Sequence, residues 1–351
     1  MADLSIIIVN WNVRDLLRRC LASVQASPGV RLGAGAGSAP TASGVYAVPS
    51  VEVVVVDNAS GDGSAEMVRA EFPWARVIAN TENRGFTAAN NQGIAACSGR
   101  YLLLLNPDTE LLRDALKVML DFLETHPSVG LVGPQLWYGD AQPPDGVAAE
   151  NLAGSGGVQS SRRRFPTLAT AFVESTVLQG IFQKSRLLRD YYVLDRPDDL
   201  TQEVDWLVGA AMMVRRSVVE QIGGLDEGFF MYSEELDWCR RIKAAPTPGG
   251  GNWQVMYLPA ARVVHHEGRS SAQAPALRQI QFHASKVRYF RKYHGWPAAQ
   301  TLRLFLLGTY TYQIVEESAK WLVGHKRPLR ARRVSIYWQV LRSGLRPTGI
   351  Q

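Results

Sequence analysis

Cysteine is scarce in this chain: Cys20, Cys97 and Cys239 are the only three in 351 residues. An odd, scattered set without metal-ligand spacing excludes a disulfide framework and a zinc motif, and fits reduced core thiols in a cytoplasm. Long apolar runs are missing too. Leu302–Ile314, LRLFLLGTYTYQI, is too short and too interrupted to span a bilayer, so no transmembrane helix is expected. The N-terminal MADLSIIIVN has an acidic residue where a secretory signal needs basic ones, so no secretion is expected either. No glycine-rich basic loop follows the SIIIVNWN stretch, which argues against a nucleotidyltransferase. Acidic residues, finally, are absent from residues 318–351, which carry eight Lys or Arg; of the net charge of +6, the rest of the chain holds −2. A basic tail on a near-neutral body calls for a polyanionic partner.

What is present is enough apolar sequence, 46%, for a full globular core. LLLLNPDTE, Leu102–Glu110, reads as a doubly buried strand running into a polar turn, with a helical pattern from Leu111 to Glu124 behind it. In an α/β sheet, ligands collect beyond the carboxyl ends of such strands. Asp108 with Asn106 beside it suits a hard cation such as Mg2+ or Mn2+; the same residues also suit helix capping. SIIIVNWN, Ser5–Asn12, and VEVVVVDNASGDGS, Val51–Ser64, repeat the design, ending at Asn10 and at Asp57 and Asn58. Between them, residues 28–50 are rich in Gly, Ala, Ser and Pro and read as a surface insertion. ENRGFTAANNQGI adds Asn83, Arg84, Gly85 and Asn90, a cluster suited to gripping a nucleotide or to an ordinary turn and helix start. Three strand ends, at Asn10, Asp57 and Asp108, thus fall on one edge of a parallel sheet.

SIIIVNWN, VVVDNASGDGS, NRGFTAANNQGI, LLLNPDTE, the block VDWLVGAAMMVRRSVVEQIGGLDEGFFMYSEELDWCRR and VVHHEGRSS, in this order over residues 3–295, resemble family 2 glycosyltransferases of the GT-A fold, especially rhamnosyltransferase-like members that build cell-surface polysaccharide. The resemblance implies an α/β fold with a Rossmann-like, mixed but mostly parallel sheet flanked by helices and a C-terminal helical tail. Residues 1–110 are then the nucleotide-sugar half, 111–275 the acceptor and catalytic half, and 276–351 the tail. It implies a nucleoside-diphosphate sugar donor, with rhamnose the sugar it points to, held by Asp57 with Asn10, Asn58, Asn106 and the Asn83–Asn90 segment nearby. Asp108 would take the last acidic position of the family's DXD element, whose first position is Asn106 here, and would hold Mg2+ or Mn2+ together with His265 rather than His266. Trp206 and Gly209 would line the acceptor cleft.

In the block GGLDEGFFMYSEELDWCRRI several carboxylates crowd around an aromatic turn. Inverting sugar transfer needs one base to take the acceptor's proton. The family's EDxD element places Glu235 at that position, with Glu234 and Asp237 as secondary candidates; helix-start charge is the alternative for them. Arg162, Arg163 and Arg164 suit a diphosphate or a solvated face, and Ser270 with the following loop suits a lid. In the tail, Val334, Tyr337, Trp338, Leu341 and Leu345 fall on one helical face and Arg332, Arg342 and Arg346 on the other. That pattern suits an ordinary amphipathic helix packed on the catalytic domain or one lying on a membrane; with the lipid-linked or glycan acceptors the resemblance implies, an anionic membrane surface on the inner face of the cell membrane, not nucleic acid, is the tail's expected partner. A non-catalytic basic surface-binding protein would share the tail but not the ordered carboxylates.

Overall fold

The computed structural model describes residues 2–33, 48–139, 157–174, 176–266, 273–324 and 326–346. Most of the expected insertion at 28–50 and the expected lid at Ser270 lie outside them. In chain order the elements are β1 (Leu4–Asn10), α1 (Arg14–Gln25), β2 (Arg31–Leu32), β3 (Ser50–Asp57), α2 (Ser64–Glu71), β4 (Ala75–Ala79), α3 (Phe86–Ala96), β5 (Tyr101–Leu105), β6 (Thr109–Leu112), α4 (Ala115–Thr125), β7 (Val129–Tyr138), β8 (Val158–Gln159) and β9 (Arg162–Arg163). There follow α5 (Leu168–Val173), α6 (Gln179–Phe182), α7 (Arg186–Tyr191), β10 (Gln202–Glu203), β11 (Trp206–Leu207), β12 (Ala211–Arg215), α8 (Arg216–Ile222), α9 (Glu234–Ala244), β13 (Gln254–His265), α10 (Pro275–Leu322) and α11 (Arg327–Ser343).

The chain divides into two compact units. The first comprises Met1–Arg164, Arg196–Asp226 and Glu235–Ser270. Its main sheet runs β10-β13-β7-β12-β5-β1-β3-β2, with β4 beside β3, β6 beside β13 and β8 beside β7. β1 is the hub: it pairs in parallel with β3 on one side and β5 on the other. All seven of its residues are buried, as are all five of β5, because helices cover both faces. Ile6, Ile8, Val53 and Val55 pack with Leu17, Leu21, Leu116 and Leu120 of α1 and α4. Val9, Val54 and Val56 face the other way, onto Ala89 of α3. That helix can lie directly on β1 because Gly93 has no Cβ to strike Ile7. The sequence of α1 places Leu17, Cys20, Leu21 and Val24 at the i, i+3, i+4, i+7 spacing of one buried stripe. Burial pushes the thiols of Cys20 and Cys239 up to about 12, as inert core groups.

Two sequence expectations change here. The helix expected from Leu111 starts at Ala115, because Thr109–Leu112 alternate in burial and pair antiparallel with β13, Val263 opposite Leu111. VDWLVGAAMMVRR, which as a sequence reads as one strand with Trp206 and Gly209 in it, forms two, β11 and β12, with Gly209 in the turn between.

The second unit comprises Phe165–Asp195, Glu227–Glu234 and Ser271–Gln351. Its long helix α10 is broken at Gly295, whose φ of 83° is left-handed, just before Pro297. Phe172 of α5 packs on Phe305 at 4.7 Å, and Lys286 pairs with Glu174. α11 folds back along α10: Arg330 donates to both carboxylate oxygens of Glu317 at 2.8 Å, and Tyr337 meets Tyr310 at 5.6 Å. The stripe expected to face a membrane is therefore largely used up inside the unit. Leu345 is fully buried, Val334, Tyr337 and Leu341 are half-buried, and only Trp338 is exposed.

Candidate active site

The site is built from strand ends. Asn10 and Asp57 are register partners at the close of β1 and β3, and both are buried. Asn10 Nδ2 donates to Asp57 Oδ1 at 3.0 Å and to Ser60 Oγ at 3.1 Å, while the Ser60 N–H donates to Asp57 Oδ2 at 3.0 Å. This fixes the Asp57 carboxylate across the mouth of two strands. The carbonyl oxygen of the Asn10 side chain is buried there with no hydrogen-bond partner, the state of a group awaiting a ligand's donor.

Asn58 serves the neighbouring loop. Its Nδ2 donates to Asn83 Oδ1 at 2.8 Å and to Gly85 O at 3.2 Å, and its Oδ1 accepts from Arg84 N at 3.0 Å and Asn80 Nδ2 at 3.2 Å. One carboxamide thus shapes the loop that enters α3, where Gly85 takes a φ of 85°. Asn83 also accepts from Gly85 N at 3.0 Å, and Arg84 is exposed. Asn90 is buried and donates to Phe86 O at 2.9 Å in its own helix. Asn58 therefore organises the loop that carries Arg84 to the surface, while Asn90 satisfies its own helix.

Beyond β5, Asn106 donates its backbone N–H to Ala210 O at 2.9 Å and holds its side-chain oxygen buried without a partner. Asp108 is buried two residues on. The β6–β13 pairing sets His265 opposite Thr109, and the His266 N–H donates to Asp108 O at 2.8 Å. As a result His265 Nε2 lies 3.5 Å from Asp108 Oδ1, while its Nδ1 lies 2.9 Å from Gln159 Oε1. Burial works against the Asp108 carboxylate, but the facing His265 outweighs it and holds the carboxyl below the usual range. His266 turns away to Glu110 at 2.7 Å, which in turn meets Arg19 at 2.6 Å.

These donors fit a divalent cation. Gln159 Oε1 only accepts, so the proton of a neutral His265 sits on Nδ1 and Nε2 presents a lone pair to a carboxylate; a proton or a metal ion resolves that conflict. The Asp108 carboxylate and the His265 imidazole, with the unpartnered Asn106 Oδ1 two residues before Asp108, are the donor types that suit Mg2+ or Mn2+, which keep waters and share phosphate oxygens. Among the described residues, no cluster of three or more His, Cys, Asp or Glu offers a denser metal site.

Ala210, which Asn106 holds, leads to the catalytic candidates. Neighbouring Gly209 lies against the stem of Glu235: a Cβ on it would sit 3.4 Å from Glu235 Cβ and 3.5 Å from its Cγ, in ordinary contact. Glu235 is half-buried at the start of α9, anchored by the buried Leu236, Trp238, Cys239 and Ile242. Glu234 is buried as the helix's first residue. Asp237 is fully buried and bound to Arg241 at 2.8 Å, and Arg241 also holds Ile222 O and Gly224 O. That makes Asp237 an anchor of the α8–α9 turn. Trp206 is likewise engaged, its Nε1 donating to Arg164 O at 2.9 Å. Arg162 donates to Arg196 O and Pro197 O and lies 5.1 Å over Tyr257, a structural role. Sequence reasoning did not single out Ser60 or Gln159: Ser60 stands within VVVDNASGDGS but beside the more conspicuous Asp57 and Asn58, Gln159 stands in no charged motif, and only the hydrogen bonds to Asp57 and His265 mark them.

The profile of the family described as Glycosyl transferase family 2 matches residues 5–223. An N-acetylglucosaminyl-diphospho-decaprenol L-rhamnosyltransferase of Mycobacterium tuberculosis is 28% identical over 268 residues, 72% of this chain and 80% of its own length. The rhamnosyltransferase WbbL of Escherichia coli is 28% identical over 196 residues, 53% of this chain and 63% of its own. Among solved structures, the mannosyltransferase PcManGT of Pyrobaculum calidifontis, in complex with GDP-Man and Mn2+, superposes with a TM-score of 0.51 at 16% identity, over 98% of this chain and 85% of that one. That likeness is one of fold.

Proposed function

The chain belongs to glycosyl transferase family 2, and from that premise we propose that it transfers a sugar, rhamnose in the first instance, from a nucleoside diphosphate to a hydroxyl of a lipid-linked or glycan acceptor in cell-surface polysaccharide synthesis. The observation that carries the reading is the facing Asp108–His265 pair beyond the end of β5, with Asn106, two residues before Asp108, hydrogen-bonded to Ala210, next in the chain to the Gly209 that lies against Glu235. The reading takes the pair as the diphosphate-side cation site and Glu235 as the acceptor-side carboxylate. The two rhamnosyltransferase relatives suggest the sugar, and the N-acetylglucosaminyl-diphospho-decaprenol named for the Mycobacterium tuberculosis relative suggests the acceptor class.

In this reading Asp57, steadied by Asn10 and Ser60, binds the base or ribose of the donor, and the Asn58-organised loop with Arg84 flanks its phosphates. Asp108 and His265, with Asn106 beside them, would hold Mg2+ or Mn2+, which would supply positive charge against the departing diphosphate. Glu235 removes the acceptor proton as the oxygen attacks the anomeric carbon from the face opposite the diphosphate, inverting it in a single displacement. Gly209 leaves room for the acceptor, Trp206 shapes the wall behind it, and Glu234 and Asp237 set the start of α9. The basic C-terminal helices hold the protein on the inner face of the cell membrane, beside a lipid-linked acceptor. Among the described residues no helix is long and apolar enough to cross a membrane.

A thermal-shift panel of nucleoside-diphosphate sugars with and without Mn2+ tests the reading, because a ligand that binds the native state raises its melting temperature. A thymidine or uridine diphosphate sugar that stabilises only with Mn2+ supports it; a chain indifferent to all of them refutes it.

A further inference from the structure

The free surface of unit 2 is not where the sequence pattern of α11 places it. Ten of the sixteen exposed large hydrophobic residues among the described residues lie in α10, α11 and their connection. On the second arm of α10 the outward positions are Thr301, Leu304, Gly308, Thr311, Val315, Ala319 and Leu322, a helical stripe containing no charged residue. It spans about 32 Å at 1.5 Å per residue. Leu304, Val315 and Leu322 are 66%, 64% and 70% exposed, and Val323 at the tip is 86% exposed.

Charge selects the occupant. The stripe ends in a turn that presents Lys326 and Arg327, with Arg332 and Arg342 exposed along α11 and Arg346 exposed just past its end. The acids of the same stretch are neutralised within it: Glu317 by Arg330 and Arg333, and Glu316 by Lys320. A second copy laid on this face would bring two sets of cations together, whereas an anionic bilayer satisfies both the uncharged stripe and its cationic end. Trp321, stacked under Arg327 at 5.3 Å, stands at the boundary between the two, as interfacial tryptophans do.

We infer that the second arm of α10 and the α10–α11 tip, rather than the apolar face of α11, form the membrane-docking element, with Leu304, Val315, Leu322 and Val323 entering the headgroup boundary of an anionic bilayer and Lys326 and Arg327 contacting its lipid headgroups. This rests on the membrane-side placement proposed above, yet is measured independently of it.

The test is flotation of the full-length protein with vesicles of phosphatidylglycerol and phosphatidylcholine, or of phosphatidylcholine alone, lacking any sugar acceptor. Wild type should float with the anionic vesicles only. The Leu304→Glu/Val315→Glu/Leu322→Glu variant should lose at least about tenfold in vesicle affinity while keeping Mn2+-dependent binding of nucleoside diphosphate. Lys326→Gln/Arg327→Gln should reduce the salt sensitivity of binding. If the triple variant does not fold, brominated phosphatidylglycerol in wild-type samples gives the answer: it should quench tryptophan emission, and Trp321→Phe should remove part of that quenching. Undiminished flotation of the folded triple variant, absence of wild-type flotation or quenching, or a dimer that the triple variant dissolves while vesicles bind neither protein, each overturns the inference. Loss of nucleotide binding with flotation intact would instead refute the enzymatic reading and leave this one standing.

Discussion

His265 faces Asp108 across the β6–β13 pairing, Nε2 to Oδ1 at 3.5 Å, with its other nitrogen held by Gln159 at 2.9 Å. Strand pairing rather than sequence proximity creates this contact, and the Gln159 hydrogen bond aims the imidazole. Such outer partners tune metal affinity by roughly 10- to 100-fold. Gln159→Leu is therefore expected to raise the Mn2+ concentration needed for half-maximal activity by about tenfold or more, with turnover at saturating Mn2+ restored. A Mn2+ titration checks this; an unchanged midpoint would remove Gln159 from the site.

Glu235→Gln should bind donor normally and lose about a hundredfold or more in turnover, the scale of general-base removal. Glu234→Gln should retain most activity. Asp237→Asn should lower melting temperature before it lowers kcat, because Asp237 is fully buried on Arg241. Steady-state kinetics and melting curves of the three variants separate the roles; a dead Glu234→Gln beside an active Glu235→Gln would move the base one position back.

Much of this site was legible in the sequence because it sits where buried strands stop. The runs IIIV, VVVV and LLLL announce β1, β3 and β5, and the polar residue closing each run marks a carboxyl end. What the sequence could not give is which polar side chains are free for ligand. Asn10, Asn58 and Asn90 look alike on paper, yet Asn58 and Asn90 satisfy backbone and loop partners while Asn10 keeps one buried oxygen unpaired. Leu111 and Leu112 looked like the start of the following helix because so short a run cannot distinguish period 3.6 from period 2; pairing of Thr109–Leu112 with the distant strand β13 decides it. The tail's apolar face was visible by spacing, but that α10 covers it depends on Gly295 and the turn after Leu322, which no periodicity reports.

A pH-dependent contribution to stability comes from Glu52. Burial raises its carboxyl pKa, but hydrogen bonds from Ser5 Oγ at 2.6 Å, Ser98 N at 2.5 Å and Gly99 N at 3.0 Å outweigh this and lower it overall. A lowered folded-state pKa means that the stabilisation is complete above the unfolded glutamate value of about 4.3 and fades as pH falls through the folded value. Glu52→Gln should accordingly melt several degrees below wild type at pH 7, and the gap should close in melting curves taken progressively below pH 4. A gap that stays constant with pH would exclude the charge as its source.

The most direct measurement is the initial rate of sugar transfer by wild type and Asp108→Asn at saturating donor and Mn2+, with circular dichroism and melting temperature recorded on the same samples. The account predicts a loss of at least about a hundredfold, because the Asp108 charge is needed to stabilise the departing diphosphate, with the fold intact and Mn2+ no longer enhancing nucleotide binding. Near-normal transfer by a folded Asp108→Asn protein would contradict it.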